Sequence, residues 1–96
     1  MIDATNAGDH EEVVAGFATD ATLVDFGRAF TGRAEIARWD AAENTGTANT
    51  ITVTDVTAEG DVIHVRVAVK GHGYNGPGTL SFTADADHIT RLDITG

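Results

Sequence analysis

The chain has 96 residues, with no cysteine, one proline and eleven glycines, and its formal net charge is −9 at pH 7. This length predicts a single domain over residues 1–96, and the lack of cysteine excludes disulfide bridges, zinc–thiolate sites and a cysteine nucleophile. Because 15 acidic residues stand against 6 basic ones, we expect no nucleic-acid partner. No apolar run is long enough to cross a membrane and the start does not read as a signal peptide, so we expect a cytoplasmic protein with no membrane partner.

The first predicted helix follows a capping motif near the N-terminus. Asp9 and Glu12 have the spacing of a capping box, in which a carboxylate accepts hydrogen bonds from the exposed amides of the first turn. The apolar residues after it recur at helical steps and predict that the helix continues to about Ala18. These residues are Val13, Val14, Phe17 and Ala18.

A second helix is predicted from about Arg33 to Glu43. Ile36 and Trp39 fall on successive turns of one apolar stripe, and Asp40 is assigned to the polar side of the helix. Both helices are short, so each needs another element to pack on.

The rest of the chain has the alternation of β-strands. Strands are predicted at 21–26 and 29–31 around a reversal at Gly27-Arg28, and then at 50–58, 62–70, 80–84 and 89–94. Two helices followed by a long antiparallel meander predict an α+β fold, in which the helices cover one face of a curved sheet.

The segment from Gly71 to Gly76 (GHGYNG) matches the glycine pattern of dinucleotide-binding turns. That pattern holds a pyrophosphate only between a strand and the N-terminus of a helix, whereas strands are predicted on both sides of this segment. We therefore interpret it as a hairpin connection and expect no nucleotide cofactor. Tyr74 at its tip is a candidate for the rim of a ligand pocket, since loops often carry binding residues.

The histidines and the single serine indicate no metal site and no serine hydrolase. No histidine pair has metal-ligand spacing, and Ser81 is not part of a GxSxG motif. The histidines are His10, His64, His72 and His88. We expect no metal and no other cofactor.

Asp25 is the candidate catalytic residue. It lies on the same strand face as Leu23, between apolar neighbours, and a carboxylate that loses hydration in such a place is suited to act as a general base. The alternative is structural: Asp25 caps the turn at Gly27 or pairs with Arg28 or Arg33.

The aromatic residues supply candidate walls for a pocket. A tryptophan on the buried stripe of a helix is either a core residue or a pocket wall with its indole N–H available. The predicted ligand-binding residues are Phe26, Phe30, Trp39, Tyr74 and Phe82. Asp93 alternates with Arg91 on the last strand and is interpreted as half of a surface ion pair.

Four segments taken together resemble the SnoaL-like branch of the nuclear transport factor 2-like superfamily. They are Asn6–Asp9, Phe17–Asp25, Gly32–Ile36 and Trp39. The resemblance covers essentially the whole chain and implies a cone, in which a strongly curved antiparallel sheet packs against N-terminal helices around a ligand cavity. Members of the family include polyketide cyclases, ketosteroid isomerases and non-catalytic binding proteins.

The resemblance also implies differences from those relatives. Family members have a longer first helix, of which only residues 1–5 correspond here, so we expect a truncated first helix. Uncovered apolar sheet surface favours association, and we expect a homodimer through the outer sheet face.

Not all catalytic positions of the family are matched. Asp25 falls where ketosteroid isomerases have their general base, but their oxyanion-binding tyrosine and protonated acid would fall at Met1 and near Leu80. Loss of one such donor lowers the rate by about 10²–10³-fold, so we expect no steroid isomerase activity. The catalytic acid of SnoaL-type cyclases would fall at Ile94 or, with a slip of one residue, at Asp93.

Three hypotheses follow. The first is a protein with a pocket for a small apolar molecule, with isomerase or cyclase chemistry on a ketone-bearing substrate and Asp25 as the general base. The second is a non-catalytic ligand-binding or dimerisation domain. The third is a scaffold that recruits another protein through the basic outer face formed by His64, Arg66 and Lys70.

Overall fold

Three helices and six strands make up the computed structural model, which describes all residues 1–96. The helices are α1 (Ile2–Asn6), α2 (His10–Ala15) and α3 (Gly32–Glu43), and a short 3₁₀ turn covers Thr45–Thr47. The strands are β1 (Phe17–Asp25), β2 (Arg28–Thr31), β3 (Thr50–Glu59), β4 (Val62–Lys70), β5 (Gly76–Ala84) and β6 (Ile89–Thr95). The predicted α+β class is confirmed.

All six strands form one sheet in the order β2-β1-β6-β5-β4-β3. Every neighbouring pair is antiparallel except β1 and β6, which run parallel. The glycine-rich segment 71–75 connects β4 to β5, so a strand and not a helix follows it.

The first predicted helix is too long at its C-terminal end. Asp9 does cap α2, since its side chain accepts a hydrogen bond from the Glu12 amide. The helix ends at Ala15, however, and Gly16 leads into β1 at Phe17. A segment of only six residues carries too few apolar positions to separate a helix from the strand that follows it.

Helix α3 has the predicted position, and Ile36 and Trp39 are buried as expected. Asp40 was predicted on the polar side of this helix, and that prediction is wrong, because its side chain is completely buried. It is stabilised there by hydrogen bonds from His10 and Asn44, which come from outside α3.

The hydrophobic core lies between the helices and the inner face of the sheet. Its buried members include Phe17 and Leu23 of β1, Val67 of β4 and Leu92 of β6. None of the helices has the length and apolar character that a membrane crossing requires.

The turn between β1 and β2 consists of Phe26 and Gly27, one residue earlier than predicted. Both residues have positive φ angles, 48° for Phe26 and 84° for Gly27. Arg28 consequently belongs to β2 and stands directly opposite Asp25 in the antiparallel register.

Candidate functional site

The candidate site lies at the end of the sheet where β1, β4 and β6 finish and β3 and β5 begin. The strand register places Asp25 beside Ile94, and Ile94 in turn beside Leu80. Helix α3 crosses this end of the sheet and places Trp39 next to Asp25. A buried carboxylate is thus surrounded by aliphatic and aromatic groups.

Asp25 is only 9% exposed, and both of its hydrogen bonds go to one carboxylate oxygen. Oδ2 accepts a hydrogen bond of 3.0 Å from the indole Nε1 of Trp39 and one of 2.7 Å from a guanidinium nitrogen of Arg28. Neither donor bonds to Oδ1. Because no fully buried side-chain oxygen or nitrogen in the structure lacks a partner, Oδ1 is not fully buried. Asp25 is one of the residues that line a cavity.

Arg28 links Asp25 to a second carboxylate, that of Glu43 at the end of α3. Its two terminal nitrogens donate to the two Glu43 oxygens at 2.9 and 2.6 Å. The hydrogen bond to Glu43 raises the pKa of the Arg28 guanidinium above its ordinary value, and the charge of Asp25 acts in the same direction. Of the structural alternatives considered for Asp25, pairing with Arg28 is confirmed, whereas Arg33 bonds the carbonyl of Phe17.

The cavity in front of Asp25 has a volume of about 70 Å³. That is half of the roughly 150 Å³ cavity that holds benzene in an engineered protein. Of the predicted ligand-binding residues, Phe26, Trp39 and Tyr74 line it together with Asp25. The aliphatic part of the wall comes from Ile51, Val69, Leu80 and Ile94.

The structure does not bring Phe30 and Phe82 to this cavity. Phe30 pairs with Leu23 two positions before Asp25, and the guanidinium of Arg28 lies 5.6 Å from the centre of its ring. Phe82 is displaced in the same direction along β5 and lines a second, open groove of about 450 Å³ with Ile63 and Ile89. Both residues lie two positions along their strands from the row of neighbouring residues that contains Asp25 and Leu80.

The two positions that would match the oxyanion donors of ketosteroid isomerases both line the cavity. They are occupied by Met1 and Leu80, neither of which can donate a hydrogen bond from its side chain. Asp93 points away from the cavity, because Ile94 faces into it and successive side chains on a strand alternate. Asp93 instead accepts two hydrogen bonds from Arg91, at 2.8 and 3.0 Å, as the surface-pair interpretation predicted.

Four polar residues of the lining were not among the predicted site residues: Glu43, Asn44, Asn49 and Thr95. The side-chain amide of Asn44 donates to Asp40 and Thr5, and that of Asn49 donates to Asn44 and to the carbonyl of Glu43. Asn44 and Asn49 follow the end of α3, so helical periodicity provided no signal that they face the cavity.

Comparison with known proteins assigns the family. The sequence profile of the SnoaL-like domain matches residues 1–93. No curated protein sequence matches the chain.

Three solved structures illustrate the similarity. A candidate polyketide cyclase from Sinorhizobium meliloti is 31% identical, with a TM-score of 0.87 over 98% of this chain and 88% of that protein. A protein with a ketosteroid isomerase-like fold from Catenulispora acidiphila, solved with trimethylamine, is 22% identical, with a TM-score of 0.85 over 99% of this chain and 80% of its own. The epoxide hydrolase/cyclase-like enzyme SalBIII, which acts in pyran ring formation in salinomycin, is 20% identical, with a TM-score of 0.85 over 98% of this chain and 82% of the enzyme.

The second and third of these likenesses show the fold alone. The profile match and the 31% identity to the Sinorhizobium protein go further, because they cover nearly the whole chain. The chain belongs to the SnoaL-like domain family.

Proposed function

We propose that the cavity binds a small apolar ketone and that Asp25 removes a proton from the carbon next to its carbonyl group. The observation that carries this proposal is the difference between the hydrogen bonds of the two carboxylate oxygens of Asp25. Oδ2 accepts hydrogen bonds from Trp39 and Arg28, whereas Oδ1 has none and is not fully buried, in a residue that lines the cavity. A general base needs such a free oxygen within reach of the proton it takes.

The reaction is an isomerisation or a cyclisation that begins with the same step. Asp25 takes the proton and becomes a carboxylic acid, while the electron pair of the broken C–H bond forms an enolate. Return of that proton to another carbon gives an isomer. Attack of the enolate carbon on a second carbonyl group of the same molecule closes a ring, in which case the π electrons of that C=O bond move to its oxygen and the oxygen takes the proton back from Asp25.

The enolate oxygen needs a hydrogen-bond donor. Met1 and Leu80 provide none, so the hydroxyl of Tyr74 is the proposed donor. Tyr74 lines the cavity, and its hydroxyl now donates to the carbonyl of Pro77 at an exposed site, so it can change partner.

The test uses cyclohex-3-en-1-one, whose conversion to the conjugated cyclohex-2-en-1-one is followed by ultraviolet absorbance. We expect Asp25→Asn to lower kcat/KM by about 10²–10⁴-fold. The matched control is Asp93→Asn. It removes a carboxylate of the same sheet that is bonded to Arg91 and does not line the cavity. Wild-type turnover in Asp25→Asn would remove Asp25 from the mechanism.

A second candidate function is non-catalytic binding of a small ligand. It is favoured by the pairing of Asp25 with Arg28 and by the small volume of the cavity. One of the similar structures holds trimethylamine. Here two carboxylates, Asp25 and Glu43, and the ring of Trp39 line the cavity, and such groups attract small organic cations.

Binding and catalysis are separated by one further measurement. Trp39 is the only tryptophan and lines the cavity, so its fluorescence reports occupancy. A response to trimethylammonium chloride that Asp25→Asn weakens, without turnover of the ketone by the wild type, would favour the binding function.

A homodimer through the outer sheet face stays a prediction. On the outer face, His64, Ser81 and Asp93 lie side by side on neighbouring strands. The exposed apolar residues Val53, Val56 and Ile63 lie on the inner face instead, since they pair with Val67, Val65 and Phe82 of that face. The two faces are distinguished by the oligomeric state of two variants in analytical ultracentrifugation: Arg66→Glu on the outer face and Ile63→Lys on the inner face. Loss of a dimer only in Arg66→Glu supports the outer face, and loss only in Ile63→Lys contradicts it.

A further inference from the structure

Phe26 occupies a backbone position that the fold alone does not favour. It is the first residue of a two-residue turn, and its φ of 48° lies in the left-handed region. Turns of this kind favour Asn, Asp or Gly at that position, because a larger side chain is strained there. The amide of Phe26 bonds the carbonyl of Ile94, so the sheet holds the turn in place.

Burial does not compensate for this strain. The Phe26 side chain is 55% exposed, and a phenylalanine contributes to stability mainly through the apolar surface that it removes from water. Strained residues that persist in a fold are concentrated at functional sites. We therefore look for the role of the Phe26 ring in its position at the site and not in its contribution to the stability of the core.

The ring lies at the mouth of the cavity, opposite Tyr74. The two ring centres are 6.0 Å apart and the ring planes are inclined by 49°. Phe26 comes from the turn between β1 and β2, and Tyr74 comes from the loop between β4 and β5. Tyr74 is 48% exposed, so about half of each ring is in contact with solvent.

We propose that Phe26 determines the size of the ligand that this site accepts. With the two rings in contact, the volume of about 70 Å³ is smaller than a cavity that holds a six-membered ring, so a ring ligand has to displace the rim to enter. A bicyclic ligand has to displace the Phe26 ring further from Tyr74 than a monocyclic ligand does. The strained turn is the cost of placing an aromatic ring at this point of the rim. This inference rests on the proposed ligand site, but not on Asp25 being a base.

The test compares two ketones that differ in size, cyclohexanone and the bicyclic 2-decalone, by titration of Trp39 fluorescence. The variant is Phe26→Asn, which suits the turn and removes the ring. The matched control is Ala48→Asn, because Ala48 is the other non-glycine residue with positive φ, at 55°, and does not line the cavity. Both variants are expected to raise Tm, since asparagine tolerates this backbone conformation.

The expected result is a change of about tenfold in the ratio of the two dissociation constants, in favour of 2-decalone, in Phe26→Asn alone. An unchanged ratio overturns the proposal, as does the absence of any response to either ketone. A fall in Tm in Phe26→Asn would overturn the argument from strain. Because the readout is binding, loss of the proposed function through a fully active Asp25→Asn variant is a separate outcome.

Discussion

The indole Nε1 of Trp39 donates a hydrogen bond of 3.0 Å to Oδ2 of Asp25. This bond joins the middle of α3 to the last residue of β1, so it fixes both the helix and the carboxylate. Hydrogen bonds to charged groups contribute about 1.5–3 kcal/mol. We expect Trp39→Phe to lower the free energy of unfolding by at least that amount, as measured by urea denaturation with circular dichroism.

A double-mutant cycle separates the hydrogen bond from the loss of ring volume. In an Asp25→Ala background the bond is already absent, so Trp39→Phe is expected to be less destabilising by about 1–3 kcal/mol. A coupling energy of zero would mean that the contact does not stabilise the fold.

The side chain of Asn6 connects the end of α1 to strand β3. Its side-chain amide donates to the carbonyl of Ile51 at 2.8 Å, and its Oδ1 accepts from the Ile51 amide at 2.6 Å. The side chain thus pairs with the edge strand β3 as another strand would. We expect Asn6→Ala to lower the free energy of unfolding by about 1–3 kcal/mol in urea denaturation.

Asn6→Leu is the matched control, because it removes both hydrogen bonds and keeps a branched side chain with the same number of heavy atoms. If the hydrogen bonds stabilise the contact, Asn6→Leu and Asn6→Ala are destabilised to a similar degree. Wild-type stability in Asn6→Leu would assign the effect to packing.

Much of the fold could be predicted because its signals are local. The alternation over Val62–Lys70 gave the limits of β4, and the spacing of Ile36 and Trp39 gave the position of α3. The turn at Phe26 was placed one residue late, because nothing local indicates that a phenylalanine adopts a positive φ.

The candidate site was less predictable because its members meet only in the folded chain. Asp25 was found from its apolar neighbours, but its bond to Trp39 joins residues 14 positions apart. Aromatic character placed Phe82 in the predicted wall, whereas its position along β5 puts it in a different groove. Asn49 gave no signal, since a polar residue after a helix normally faces solvent.

The β5–β6 connection provides a test by pH. The carboxylate of Asp85 accepts hydrogen bonds from the amides of Asp87 and His88, at 3.0 and 2.9 Å, and these bonds lower the pKa of Asp85 below its ordinary value of 3.8. A carboxylate whose pKa is lower in the folded state than in the unfolded state stabilises the fold at pH values above its unfolded-state pKa. This stabilisation is lost as the pH falls through its folded-state pKa. We expect Asp85→Asn to have a lower Tm than the wild type at neutral pH.

That difference in Tm should shrink steadily as the pH is lowered below 3.8. Hydrogen exchange of the Asp87 and His88 amides supplies the local measurement, and we expect faster exchange in the variant at neutral pH. A Tm difference that does not change with pH would contradict the assignment to the ionised carboxylate.

Asp40 holds the helical layer together through a buried polar network. Its side chain is 0% exposed, and it accepts hydrogen bonds from His10 Nδ1 at 2.7 Å, from Asn44 Nδ2 at 2.8 Å and from the hydroxyl of Thr45. Asn44 also donates to Thr5, so the network connects α1, α2, α3 and the 3₁₀ turn. Removal of one member of a buried charged network leaves the others without partners.

We therefore expect Asp40→Ala to lower the free energy of unfolding by about 3–5 kcal/mol in urea denaturation. Since such a loss can prevent folding altogether, His10→Ala provides the milder test, with an expected loss of about 1–3 kcal/mol. The control is Asp61→Ala in the exposed turn between β3 and β4, which should change stability by no more than about 0.5 kcal/mol. Equal stabilities of His10→Ala and Asp61→Ala would show that the bond between His10 and Asp40 does not stabilise the fold, and that α2 is held by its apolar contacts alone.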